Sequence, residues 1–192
     1  MAGWRRGLRA YFAWLLAHAL AGAAFAPLAP RLFGFDVRII VEGLYAGAVF
    51  GVAQWLALRP VLTNAWVWVP VTIIASPLAW SVGMVVGVHT VTIGGWLGAF
   101  VSATAQSVVL VLTLRRSQLM FGLLWVPTAV IGGAVFYVFF LVALSSGSHP
   151  PAFELIVAGG IGYAVVTGLV VALMAALGAG RSAREPVDAE LK

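Results

Sequence analysis

The sequence predicts an all-α polytopic membrane protein: about six transmembrane helices, both termini cytoplasmic, and a two-helix unit repeated in parallel. Three observations predict it. The 192 residues are 62% hydrophobic and only 9% charged, with a mean hydropathy of +1.06, whereas a soluble domain of this size needs far more charge to cover its surface. The apolar residues gather into runs near the ~20 residues that a helix needs to cross a bilayer. Most Lys and Arg fall on one side once the runs are threaded alternately through the membrane.

Six spans are predicted, at 8–28, 37–58, 65–88, 91–114, 120–144 and 153–177. The first ends in "AGAAFAPLAP", which reads as a Gly/Ala-rich helix end with proline stops rather than as the cleavage site of a signal peptide. Between the first and second spans "PLAPRLFGFD" breaks the chain, and after the second "RPVLTN" does so. The break around His89 in "GVHTVTIGG" is the weakest. Dividing 65–114 there rests on length, because a helix of ~50 residues far exceeds a bilayer's thickness. "RRSQ" ends the fourth span and "SSGSHPPA" separates the fifth from the sixth. The transmembrane domain thus occupies 1–180, with repeat units at about 37–90 and 91–146. A polar tail, 181–192, is predicted to be disordered and cytoplasmic.

Orientation follows from charge. Arg5, Arg6 and Arg9 precede the first span, Arg59 follows the second, Arg115 and Arg116 the fourth, and Arg181, Arg184 and Lys192 the sixth; Arg31 and Arg38 fall on the opposite side. The positive-inside rule then places both termini in the cytoplasm. The net charge of +5 does not point to nucleic acid, since the basic residues stand singly or in pairs at span ends without an aromatic-interleaved surface. Without cysteine, disulfides, thiolate metal sites and cysteine nucleophiles are excluded. No zincin, nucleophile-elbow, phosphate-loop or paired-carboxylate pattern occurs, so a non-catalytic protein is expected.

The repeat is carried by "EGLYAGAVFGVAQ" (42–54) and "GWLGAFVSATAQ" (95–106). Aligned, they place Gly43 on Gly95, Gly47 on Ala99, Gly51 on Ala103 and Gln54 on Gln106; "LALRP…WVWVP" (56–70) then resembles "LTLRR…LLWVP" (112–127). Span six continues the four-residue spacing at Gly160, Ala164 and Gly168 as a decayed third copy, with Val171 at the glutamine position. Residues four apart share a helix face, so Gly43, Gly47 and Gly51 form a groove that admits a neighbouring backbone. Gln54 and Gln106 are expected to fasten helix to helix, bonding a backbone carbonyl or each other, or else to line a ligand or ion site.

Other polar residues invite roles. Glu42, near the outer end of span two, is a candidate for substrate binding or coupling, close enough to the surface to be hydrated and four residues from Arg38, with which it can pair. Glu154 begins span six, where a helix N-terminus favours it. His18 is the one histidine deep in a span. It is a weak candidate ligand for haem iron or a pigment's magnesium, against the plainer expectation of a hydrogen bond to a neighbouring helix. Ala13, Ala17 and Ala21 read as a packing face. Trp4, Trp66 and Trp68, with Trp55 and Trp125 deeper, are expected to form a cytoplasmic aromatic belt, and Trp80 and Trp96 to lie in the outer half. Pro70, Pro77 and Pro127 fall inside spans three and five, where kinks and freed carbonyls are expected.

"GVAQWLALR" (51–59), followed by "AWVWVPVTIIASPLAW", resembles a group of uncharacterised bacterial multi-span membrane proteins built from Gly-rich Gln-Trp-Leu-x-Leu-Arg units with a tryptophan-rich returning helix. The resemblance covers spans two to five; in the second copy Ser107 replaces the tryptophan. It implies the architecture and a bacterial inner-membrane setting, and no activity. The function expected first is an accessory or scaffolding subunit of a larger bacterial membrane complex, photosynthetic or respiratory, whose partners are other integral membrane proteins and lipid. Bound lipid is expected, and pigment or haem is considered through His18. The second is a small-solute transporter or the substrate-binding component of one, since six spans in this length look like the vitamin-binding components of energy-coupling-factor transporters. A cavity near Glu42 lined by Trp80 or Trp96 favours the second; solid packing there favours the first.

Overall fold

A computed structural model describes residues 2–27, 38–87, 91–114, 119–145 and 153–178. They form six α-helices: α1 (Ala2–Phe25), α2 (Arg38–Leu58), α3 (Trp68–Gly87), α4 (Val91–Thr113), α5 (Leu119–Ser145) and α6 (Phe153–Ala176), with a 3-10 turn (Ala65–Val67) leading into α3. All six are long and apolar enough to cross a membrane, and helices with their hydrogen bonds closed internally are what a bilayer tolerates. The chain is therefore a multi-pass helical membrane protein. The tail, His89, His149, Arg31, Arg115 and Arg116 lie outside the described residues, as does the side chain of Arg38 and with it the expected Arg38–Glu42 pair.

The helix bounds follow the predicted spans closely except at the start. α1 begins at Ala2 rather than near residue 8, so Arg5, Arg6 and Arg9 belong to the helix itself. Apolar length marks where a chain enters hydrocarbon, while nothing in "AGWRRGL" stops a helix from continuing beyond it. Pro70 sits in the first turn of α3, where its missing N–H costs nothing, and Pro77 and Pro127 lie inside α3 and α5.

The six helices close into a ring. Each packs chiefly on its neighbours in sequence, and α6 returns to pack on α1. Neighbours run antiparallel: Gly43 and Gly51 of α2 meet Pro77 and Thr72 of α3 respectively, and Gly7 and Gly22 of α1 meet Ala172 and Ile156 of α6. Large apolar side chains such as Leu16, Leu20, Leu112 and Leu123 cover the outside of the ring, where lipid is as good a solvent for them as a core.

Small residues set how tightly the ring closes. A β-carbon on Gly43 would collide with the Cα of Pro77, and one on Gly47 would lie 2.7 Å from the Cα of Ile73. The predicted groove of α2 is thus filled by α3 within the same chain. On α1 the inward alanines are Ala10, Ala17 and Ala21, whereas Ala13 is exposed. The four-residue alanine spacing slips off the buried face at its first member because a helix turns 400° in four residues, not 360°.

Inside the ring two apolar clusters lie at opposite ends. The larger, with Leu58, Leu62, Leu110, Leu114, Phe121 and Met174, fills the end that carries Arg5, Arg9 and Arg59. The smaller groups Phe25, Ala46, Phe140 and Ile156 toward the other end. Between them is a layer of polar side chains.

Replacing Gly43 by alanine is expected to lower stability by about 1–3 kcal/mol, the usual cost of overpacking a tight contact. Ala13→Leu, on the lipid-facing side of α1, is expected to change it by less than about 0.5 kcal/mol. Unfolding both variants in mixed micelles against rising dodecyl sulfate measures the difference. Equal midpoints would refute the close α2–α3 contact.

Candidate functional site

The layer is built on three tryptophans. Trp14 of α1, Trp68 of α3 and Trp125 of α5 are each fully buried. Trp125 stands edge-on to both others, 5.7 Å from Trp14 at 81° and 5.3 Å from Trp68 at 87°, the geometry in which a ring's positive edge meets a negative face. The expectation that Trp68 and Trp125 belong to an aromatic belt is overturned. Trp4 and Trp66 are exposed as a belt requires, but Trp68 and Trp125 turn inward. Depth along a span says nothing about which way a side chain faces.

Each indole N–H has a side-chain acceptor on the helix that precedes it around the ring. Trp68 Nε1 donates to Gln54 Oε1 at 2.7 Å, Trp125 Nε1 to Gln106 Oε1 at 3.1 Å, and Trp14 Nε1 to Thr167 Oγ1 at 2.8 Å. The sequence alignment that paired Gln54 with Gln106 also paired Trp68 with Trp125, so that signal was present. Trp14 and Thr167 carried none. Thr167, not Val171, takes the polar position on α6, and Val171 is buried in the apolar cluster.

The two glutamines then join each other. Gln106 Nε2 donates to Gln54 Oε1 at 3.2 Å and to Thr72 Oγ1 at 3.4 Å. Of the two expected partners, backbone carbonyl or opposite amide, the structure uses the amide. Both amide orientations are forced, because an indole only donates and so must face a carbonyl oxygen.

The same logic fixes His18. Its Nδ1 lies 3.0 Å from the carbonyl oxygen of Trp14, which only accepts, so Nδ1 carries the hydrogen. Nε2 is then the acceptor, and Gln54 Nε2, 3.1 Å away, donates to it. A second hydrogen on the ring would confront the Gln54 NH2 group, and Gln54 cannot flip without abandoning Trp68. The network therefore holds His18 neutral, in one tautomer. Both ring nitrogens are engaged, leaving none for haem iron or pigment magnesium, so the ligand role considered for His18 does not fit the geometry; the bond to a neighbouring helix does.

Beyond the amide layer, away from the arginine-bearing end, lies a chamber of about 140 Å³ to which all six helices contribute. Gln54, Gln106, Thr72, Ser76 and Ser102 form its polar side. Phe25, Phe50, Trp80, Phe136 and Tyr163 form aromatic walls, and Ala46 and Gly133 complete the lining. Among the described residues no Asp, Glu, Lys or Arg lines it. Glu42 is only 3% exposed, against the expectation of a hydrated carboxylate. It lies one turn from Ala46 toward the end opposite the arginines, and it is not among the lining residues. α2 turns its Glu42 face to the bundle because Gly43 and Gly47 on nearly the same side must meet α3. Trp80 faces the chamber, whereas Trp96 is exposed, and so is Glu154 at the start of α6. Among the described residues no His, Cys, Asp or Glu cluster could hold a metal.

No family model, curated protein or solved structure matches the chain. The resemblance to Gln-Trp-Leu-x-Leu-Arg proteins stands on the residues alone, and a functional reading must come from this site.

Gln54→Leu strips an acceptor from Trp68 and Gln106 and a donor from His18, and is expected to destabilise by about 2–4 kcal/mol. Thr167→Val removes one indole acceptor and is expected to cost about 1 kcal/mol. Dodecyl sulfate unfolding ranks the two, and the reverse order would contradict the network. In 15N-labelled protein, His18 is expected to show a protonated Nδ1 and a bare Nε2 by imidazole nitrogen shifts. A protonated Nε2 would refute the bonding pattern.

Proposed function

We propose that this protein binds a small uncharged molecule in its central chamber and serves as the solute-binding part of a bacterial inner-membrane transport system. The carrying observation is the chamber itself, lined by residues of all six helices, with an aromatic wall and a polar side. Binding sites in helical bundles commonly have that composition: mostly apolar lining with a few placed polar groups. The positive-inside rule sets the arginine-bearing end, with both termini, in the cytoplasm. On that orientation the larger apolar cluster seals the cytoplasmic half, and solute would enter from the outer side.

A repeat supports the same reading. The helix pairs α2–α3, α4–α5 and α6–α1 are three copies of one unit, each setting a tryptophan N–H on a side-chain acceptor of its partner. One turn beyond each tryptophan stand His18, Thr72 and Ala129. Gln54 donates to the first and Gln106 to the second. This extends the parallel repeat to the whole ring and makes α1, not only α6, part of the third copy. Smooth helix faces are one feature that would serve an accessory subunit, and the glycine face of α2 packs on α3 within the chain.

The test begins with protein extracted with its native lipid in polymer-bounded discs and analysed by mass spectrometry for bound small molecules. Wild type is expected to carry a solute near stoichiometry, and Ser102→Leu, which fills the chamber without removing a member of the hydrogen-bond network, to lose it. An identical small-molecule content in both would sink the proposal, and stoichiometric partner proteins with an empty chamber would favour the accessory subunit.

A further inference from the structure

The polar side of the chamber has hydrogen-bonding capacity to spare. A primary amide offers two N–H donors and two carbonyl lone pairs. Gln54 gives one N–H to His18, and its Oε1 accepts from Trp68 and Gln106, which leaves one N–H. Gln106 gives its two hydrogens to Gln54 and Thr72, and its Oε1 accepts from Trp125, which leaves one lone pair. Both side chains line the chamber, and they touch each other. The remaining donor and the remaining acceptor therefore belong to two adjoining side chains of the lining.

We propose that the chamber takes a small, flat, uncharged ring compound with a lactam or carboxamide edge, its carbonyl accepting from Gln54 and its N–H donating to Gln106. This rests on the reading of the chamber as a binding site and names what that site selects. Adjacent donor and acceptor call for the complementary pair on one ligand edge, which a cis amide supplies. Phe50, Phe136 and Trp80 offer faces and edges for a flat ring. The volume matches one ring: a cavity of about 150 Å³ is known to hold benzene. Among the described residues no charged side chain lines the chamber, which disfavours an ion, whose desolvation costs far more than that of a neutral group.

The experiment measures binding to the intact protein in lipid nanodiscs by saturation-transfer NMR and calorimetry, with 2-pyridone, N-methyl-2-pyridone and benzene as probes. 2-Pyridone has the lactam edge, its N-methyl derivative lacks the N–H, and benzene is smaller and has no edge, so size alone cannot mimic the expected order. 2-Pyridone is expected to bind at least tenfold more tightly than either, since a site with buried polar groups rejects analogues that leave them unpaired. Ser102→Leu is expected to abolish the saturable part of the binding. Equal affinity for all three would overturn the lactam edge while leaving the chamber a binding site. No saturable binding of any probe would overturn this proposal. Native solute lost from Ser102→Leu would still uphold the binding reading in that case.

Discussion

An indole N–H inside a bilayer has no water to bond, and that constraint organises this protein. Three tryptophans are buried side by side, so three donors must find acceptors at one depth within a ring of helices. Gln54, Gln106 and Thr167 supply them. Because each acceptor sits on a different helix from its donor, the bonds tie α2 to α3, α4 to α5 and α6 to α1. Each interhelical bond in a membrane contributes only about 0.6 kcal/mol on average. Their larger effect is on specificity: any rotation or slide of one helix leaves buried donors unpaired, at about 1–3 kcal/mol apiece.

Close helix contact makes the network possible. A glutamine side chain reaches across only if backbones approach closely, and Gly43, Gly47 and Gly160 provide that approach. Gly160 lies where a β-carbon would come within 2.9 Å of the His18 carbonyl oxygen, at the level where His18 meets Gln54. The small residues and the amides thus form one device. The glycines set the distance, and the amides then fix the register.

Much of this was legible in the sequence. The six spans follow from hydropathy, and the two glutamines declared themselves as large amides at the foot of small-residue ladders, 52 residues apart. What stayed hidden did so for physical reasons. Tryptophan suits both the membrane interface and a satisfied core position, so Trp68 and Trp125 could be placed in depth but not in azimuth. Thr167 bonds its own helix at Tyr163 O, 2.9 Å away, as an isolated helical threonine would; that it also accepts from Trp14 depends on α1, far away in the chain. Glu42 was read from its distance to a span end, which is silent about the neighbour that covers it. The chamber has no local signal at all, being a property of six helices at once.

Yet its origin can be traced to a regularity along α1, α3 and α5. Two turns after Trp14, Trp68 and Trp125 come Gly22, Ser76 and Gly133; Gly22 lets α6 approach closely, while Ser76 and Gly133 line the chamber and are too small to fill it. On the facing helices, one turn before Gln54, Gln106 and Thr167, stand Phe50, Ser102 and Tyr163, all of them chamber-lining. The third side departs further from the pattern. There Thr167 is shorter than glutamine and Ala129 offers no polar group, so no third amide occupies the space between α5 and α6, and Gly133 and Tyr163 border it. A ring with three glutamines would have closed its hydrogen bonds among themselves. With two, one donor and one acceptor remain uncommitted in side chains that line a space of about 140 Å³.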